Sequence, residues 1–336
     1  MNNKERDEKF LKSWLKKKIS ITTSTVVSFL ITGAIGGGAA YGAGNKAGTG
    51  GNNNSVAWGQ GSSVDNDSVA VGANASAVSA SAGNNPTVTS KGVAIGNNAT
   101  AKGSVSVGDL ASSTHFGVAV GYNAGTQNTT TGYSFSNVTI GANTRVGVQG
   151  TQAAQGIAIG SGVHADEGAW AKGDQSISIG ANTTASGNSS IAIGGDDLLS
   201  VSTKTSSYSD ARFDKNGNKI GGNSNNTASI NNIFNTLTGR GTILHQGTGT
   251  DGKFYTAWRN TESGQGAVAL GVKSISGDIA LAIGTFSEAT GTNSVAIGTG
   301  AQTPQSGAVA IGGGSTTYGL QGRQITDADI TLTDGT

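Results

Sequence analysis

Side chains that could do chemistry are few in this chain, and their spacing does not bring them together. The three histidines, His115, His164 and His245, stand far apart and without a nucleophile or metal-ligand spacing around them. Each reads as a loop or surface histidine. There is no cysteine, so neither a disulfide framework nor a thiolate-held zinc can stabilise the fold. Gly247-Thr248-Gly249-Thr250-Asp251-Gly252 matches G-x-G-x-x-G, but a nucleotide cradle needs a helix after it, and Lys253 to Arg259 reads as extended. Asp214-Lys215-Asn216-Gly217-Asn218 begins like a calcium loop. Lys219 then stands where that loop needs glycine, and Asn225 where it needs its closing glutamate, so a plain turn is expected. No catalytic, metal or cofactor-binding residue is assigned, and the chain is not read as an enzyme.

The elements around these residues are more informative. Ile230, Ile233, Phe234 and Leu237 fall at i, i+3, i+4 and i+7 after Ser229, which predicts a short capped helix packed by its apolar side. Phe254-Tyr255-Thr256-Ala257-Trp258-Arg259 concentrates aromatics in a chain with only 5% of them. Packing is the expected role there; a ligand surface centred on Tyr255 and Trp258 is the sharper alternative.

Residues 1–43 are of another kind. Lys4 to Lys18 is highly charged, Ile19 to Ala40 carries no charge, and small residues close the stretch. A basic start, an apolar middle and a small-residue exit predict a secretory signal peptide, cleaved between Ala40 and Gly44. A membrane anchor is the competing reading, disfavoured by the Ser, Thr and Gly content of the apolar stretch. Without the leader, 14 basic residues face 17 acidic ones. No basic cluster remains, so nucleic acid is not an expected partner.

The rest of the chain repeats. A string of the form Val/Ile, small, apolar, Gly occurs 13 times, its small central residue being Ala57, Ala70, Ala94, Ser106, Ala119, Thr139, Ala158, Ser178, Ala192, Ala269, Ala282, Ala296 and Ala310. The closing glycines are spaced 13, 24, 12, 13, 20, 19, 20, 14, 77, 13, 14 and 14 residues apart. A period near 13 with occasional extra residues predicts a solenoid coil with insertions at its corners. Each string is a short strand. A weaker second strand follows, marked by small residues two apart at Ala99 and Ala101, Thr183 and Ala185, and Ser287 and Ala289. The expected coil is flattened, with Val/Ile lining one inner wall and Ala/Ser/Thr the other. The small central residue is then expected to face outward. Its uniform smallness points to another surface packed against it, that is, to oligomerisation.

Asn293-Ser294-Val295-Ala296-Ile297-Gly298 and its relatives resemble the head repeat of YadA-like trimeric autotransporter adhesins. Two further stretches extend the resemblance. Gly194-Gly195-Asp196-Asp197-Leu198, with the helix near Leu237-Thr238-Gly239 and the return at Gly266-Ala267-Val268, looks like the insert that interrupts such heads. Gly319-Leu320-Gln321-Gly322-Arg323-Gln324-Ile325 resembles the start of their neck. The resemblance implies an all-β, left-handed parallel β-roll, packed as a homotrimer through the 13 small residues, with one partly helical insert. It divides the chain into signal peptide 1–43, head repeats 44–194, insert 195–266, head repeats 267–316 and neck 317–336. Family members continue into a coiled-coil stalk and a membrane β-barrel. Neither heptads nor membrane strands occur up to Thr336, so a fragment or a truncated product is expected.

The implied function is attachment of a bacterium to host extracellular matrix, host cells or other bacteria, from the cell surface and by multivalent binding. A structural surface or biofilm component shares the fold and lacks only the host ligand. A left-handed β-helix acyltransferase fails on period, since it needs six residues. The corner insertions at Asn84–Lys91, Gln127–Phe135 and Asp166–Asp174 vary most between copies, and specificity is expected there. Fusing residues 1–50 to a reporter tests the leader. Export of the reporter is the expected result, and cytoplasmic retention refutes a signal peptide.

Overall fold

The computed structural model describes residues 55–65, 67–82, 85–126, 135–148, 153–239 and 260–317. Thirteen three-residue strands, from Val56–Trp58 to Val309–Ile311, stack in strict sequence order into one parallel sheet. Each is one of the 13 repeated strings. A second parallel sheet of 11 strands runs from Ser63–Val64 to Glu288–Ala289. The chain passes alternately from one sheet to the other, so one strand of each makes a coil. This is a parallel β-roll.

The register is unbroken. Ala70 pairs with Ala94, Ala94 with Ser106 and Ser106 with Ala119, and the ladder crosses the insert at Ala192 and Ala269. Backbone hydrogen bonds also connect successive coils through their corners: Gly96 N–H donates to Val71 C=O and Asn98 N–H to Ala73 C=O, both at 2.8 Å. With strand and corner both paired, few backbone groups lose water without gaining a partner.

Most coils turn at two left-handed positions in the corner after the first sheet. In Gly72-Ala73-Asn74-Ala75 these are Gly72, with φ of 136°, and Asn74, with φ of 54°. Asparagine accepts that region more readily than most residues. The glycine is required for a second reason. A Cβ on Gly72 would lie 2.2 Å from the Gly96 carbonyl oxygen, and one on Gly108 would lie 2.4 Å from that of Gly121. Glycines are thus stacked on glycines from coil to coil, at contact distance.

The two walls of the roll are both lined by small residues, which corrects the facing expected from the sequence. Ala70, Ala94, Ser106, Ala119, Thr139, Ala158, Ser178, Ala192, Ala269, Ala282, Ala296 and Ala310 are all buried within the single chain. Ala57, in the first described coil, is half-buried. These residues point inward and form no outer face, so they cannot pack a partner. The flanking Val and Ile side chains point outward instead. The reason is width. One coil points four residues inward, for example Ser68, Ala70, Ala75 and Ala77, and the three-residue strands bend at both ends. The space between the sheets then holds methyl and hydroxymethyl groups and little more.

Where a larger side chain enters, its neighbours shrink. Val146 is fully buried, and a Cβ on Gly156 of the next coil would meet its Cγ1 at 2.6 Å. Hydroxyls inside the roll bond to each other or to the backbone, as in Ser106 with Ser113 at 2.6 Å and Ser178 with Thr183 at 2.8 Å. These bonds offset the cost of taking polar groups out of water.

Gly108→Ala tests the corner stack. It forces a methyl into the Gly121 carbonyl and puts alanine at a positive φ, and a loss of about 3 kcal/mol is expected. Thermal denaturation followed by circular dichroism reads it; an unchanged melting temperature contradicts the stacking account.

Candidate functional site

Three surfaces leave the roll: the outer face of each sheet and the insert. On the first sheet the outward residues form two columns that run its whole length. One runs Val56, Val69, Val93, Val105, Val118, Val138, Ile157, Ile177, Ile191, Val268, Leu281, Val295, Val309. The second begins at Trp58 and Val71 and ends at Ile297 and Ile311. Every position in both is apolar. Thirteen strands about 4.8 Å apart make this ribbon roughly 58 Å long. Its residues are half-buried to exposed, with Ile95 at 40%, Ile140 at 41% and Ile311 at 67%. A continuous apolar strip of this size on a soluble surface marks an interaction face.

The insert leaves the first sheet after Ile191–Ile193 and returns before Thr261–Ser263, and across it Ile191–Ile193 pairs with Val268–Leu270 and Thr183–Ala185 with Thr261–Ser263. It carries a short helix, α1 (Leu199–Ser202), two antiparallel strand pairs and a second helix, α2 (Ile230–Thr238). Ser229 caps α2 by accepting from Asn232 N–H at 3.3 Å, and Gly239 ends it with φ of 66°. The expected apolar positions are helical, but they are not equally buried. Phe234 is buried against Leu198 and Phe286, Ile230 packs beside them, and Leu237 is 48% exposed.

The anchor is the ring of Phe286, 5.7 Å from that of Phe234. Phe286 occupies a corner position, with φ of 60°, that most other coils give to Asn or Gly and two give to Leu110 and Lys273. Further along, α2 comes close enough that a Cβ on Gly300 would meet Thr238 Cγ2 at 2.9 Å, and one on Gly314 would meet Thr238 Cα at 2.5 Å. The corner column thus changes from Lys273 and Phe286 to two glycines as the helix approaches. Asp196, at the start of the insert, accepts from Asn182 Nδ2 at 3.0 Å. Burial pushes its carboxyl above the ordinary range, and the Asn182 bond and the Lys273 charge pull it back in part.

The outer face of the second sheet is mostly small and polar in its first half, through Ser63, Ser76, Thr100, Ser112 and Gly125. The register then brings Arg145 beside Trp170, and Trp170 beside Thr184. These residues, with Asp166, Glu167, Lys172, Asn182 and Asn260, line a cleft of ≈ 440 Å³. The Arg145 guanidinium lies 4.1 Å and the Lys172 ammonium 4.3 Å from the Trp170 ring centroid. Burial pushes the Arg145 guanidinium below its ordinary range, and the charge of Asp166 opposes that shift.

The cleft was not foreseen as a unit, although the Asp166–Asp174 corner was. Its signal was the one coil whose second strand carries tryptophan. The other expected specificity corners are only partly visible. Ala80–Ala82 and Asn85–Ser90 form an antiparallel hairpin, and residues 127–134 lie outside the described residues. Tyr255, Trp258, His245 and the 247–252 glycine motif also lie outside them, as do the leader and the neck-like segment. His115 stacks edge-on against Phe135 at 5.2 Å, and His164 is exposed on a turn. Asp214 closes a turn, accepting from Asn216 N–H, Asn218 N–H and Asn218 Nδ2 at 2.8–3.0 Å. Among the described residues no cluster of metal-ligating side chains occurs.

A parallel β-roll with a small-residue interior, an apolar outer ribbon and glycine-stacked corners is a repeat scaffold that presents surfaces. The family model of the YadA head domain repeat matches residues 171–196, 276–301 and 289–315. Those stretches are similar to the head repeat of YadA-like trimeric autotransporter adhesins, a family of adhesins and not of enzymes. A search of curated proteins returns no match to the chain.

Phe234→Ala removes the ring that holds the insert to the roll. Truncating a buried phenylalanine costs about 3–5 kcal/mol. Here the loss falls on a local unit, so amide exchange across 199–239 should speed by roughly 100-fold while the roll strands keep their protection. Equal loss of protection in both would show that insert and roll unfold as one.

Proposed function

We propose that this chain is the exported head of a bacterial surface adhesin, assembled from three copies and binding host matrix, host cells or other bacteria through many weak contacts. The observation that carries this reading is the double column of Val, Ile and Leu side chains along the first sheet. It is too regular and too long to be incidental, and it is exposed on the single chain. YadA-like heads are typically homotrimers. Three ribbons facing a common axis would cover each other and leave the second sheet and the insert outward.

Attachment then follows from geometry. The assembly carries each outward surface three times on a rigid rod, so weak single contacts add by avidity. The corners of the roll, where insertions occur, are the places free to vary without disturbing the interior. Residues 1–43 act as the signal peptide, and the head works at the cell surface.

Light scattering of purified residues 44–336 gives the test of assembly. Three copies per particle are expected, and Ile95→Asp with Ile140→Asp should yield folded single chains, because two charges in a closed apolar contact cannot be hydrated. A folded monomer from the unchanged chain, or a trimer that tolerates both aspartates, overturns the assembly face. Binding of the trimer to immobilised matrix proteins and to whole cells then tests adhesion, and no retention on any of them refutes it.

A further inference from the structure

Among the described residues, the cleft on the second sheet is the one place on that face where long charged side chains, an aromatic ring and neutral polar groups converge. It borders both irregular parts of the chain. The extra residues of one corner place Asp166 and Glu167 at its rim, and Asn260, the first described residue after the insert's gap, closes the other side. Its floor is Trp170, fixed by donation from its Nε1 to the Gly147 carbonyl at 2.8 Å.

The groups in the cleft have different amounts of unused bonding capacity. Glu167 is already engaged, accepting from Val163 N–H at 2.9 Å and His164 N–H at 3.0 Å. It holds the corner rather than a ligand. Arg145 is different. Its Nε is buried and has no hydrogen-bond partner among the described residues. A buried donor left unmade is costly, and stacking on Trp170 holds the guanidinium in place while that cost persists. Lys172 brings a second cation to the same ring. Asn182 and Thr184 add neutral amide and hydroxyl groups.

We infer that this cleft binds a saccharide bearing a single carboxylate, with the carboxylate on Arg145 and Lys172 and the sugar ring against Trp170, Thr184 and Asn260. Nε is enclosed and stays with the protein, so a ligand carboxylate pairs with the terminal nitrogens of the planar guanidinium in a fixed geometry. Sugar C–H groups suit an aromatic surface, and sugar hydroxyls suit amide and hydroxyl partners. The charge balance selects against richer anions. Two cations face two carboxylates, so a second negative group on the ligand would meet Asp166. Nucleic acid, sulfated polymers and acidic peptides are disfavoured for that reason. The volume, ≈ 440 Å³, lies within the usual range for small-ligand sites.

This proposal names the ligand class of the outward face and so rests on the adhesin reading, but the cleft lies within one chain and its occupancy does not require the trimer. The probes are oligosaccharides ending in glucuronate or N-acetylneuraminate, each with its carboxylate intact and with it reduced to the alcohol. Binding to the purified protein is read by ligand-observed NMR and by tryptophan fluorescence. Saturable binding of an intact probe is expected, weakened about tenfold or more on reduction and by a similar factor in Arg145→Gln. Lys172→Gln should weaken it in the same direction and covers the case in which Arg145→Gln does not fold. Trp170→Phe should abolish the fluorescence change. The glucuronate and N-acetylneuraminate arms distinguish the source of the carboxylate. Equal binding of intact and reduced probes, binding of a glutamate-rich peptide in their place, full affinity in the folded variants, or no binding at all overturns the proposal. A failed trimer with intact saccharide binding would instead count against the assembly alone.

Discussion

The closeness of successive coils at the glycine corner governs the rest of this structure. A Cβ there would sit 2.2–2.6 Å from a carbonyl oxygen of the next coil at Gly72, Gly108 and Gly298. Only glycine permits that approach, and the left-handed corner residues beside it turn the chain back within two or three positions. Tight corners make short strands, and short strands bent at both ends leave a narrow interior. Alanine, serine and threonine fill it because little else fits.

A narrow interior displaces the hydrophobic effect to the outside. In most domains the large apolar residues build the core; here they form a ribbon on the exterior, and their burial awaits another surface. Interior and exterior ribbon are thus built from alternate residues of the same strands. Ala94 and its counterparts build the coil, while Ile95 and its counterparts are available to a partner. Extra residues are tolerated only where the chain already turns. The insert 195–266 accordingly leaves one coil and rejoins the next without changing the Ala192–Ala269 register. The insert is held from outside, by Phe286 at a corner position and by two glycines that let α2 approach.

The two sheets consequently have different roles. The first is uniform, with apolar outward residues in every coil from Val56 and Trp58 to Val309 and Ile311. The second varies, since its outward residues are small and polar in one half and include Arg145, Trp170 and Glu262 in the other. Individual chemistry collects on that second face and in the insertions at the corners, away from the stacked glycines.

The coil, its period and its strand strings were legible in the sequence, because a 13-fold repetition of one glycine-ended string leaves few architectures. The α2 helix and its Ser229 cap were legible for the same reason: local periodicity and capping act within a few residues. Which face of the strand points inward was not. Alternation places Ala94 opposite Val93 and Ile95, but it is symmetric, and the usual preference for large apolar residues inside gave the inverted answer. Only the tertiary structure sets the distance between the two sheets, and that distance admits a valine only where a neighbour is reduced to glycine, as at Val146 beside Gly156. The cleft likewise depends on the lateral register of coils, which brings Arg145 beside Trp170 from 25 residues away and Asn260 beside Thr184 from across the insert. Sequence determined what each coil is made of; packing between coils decided which way it faces and what meets on its surface.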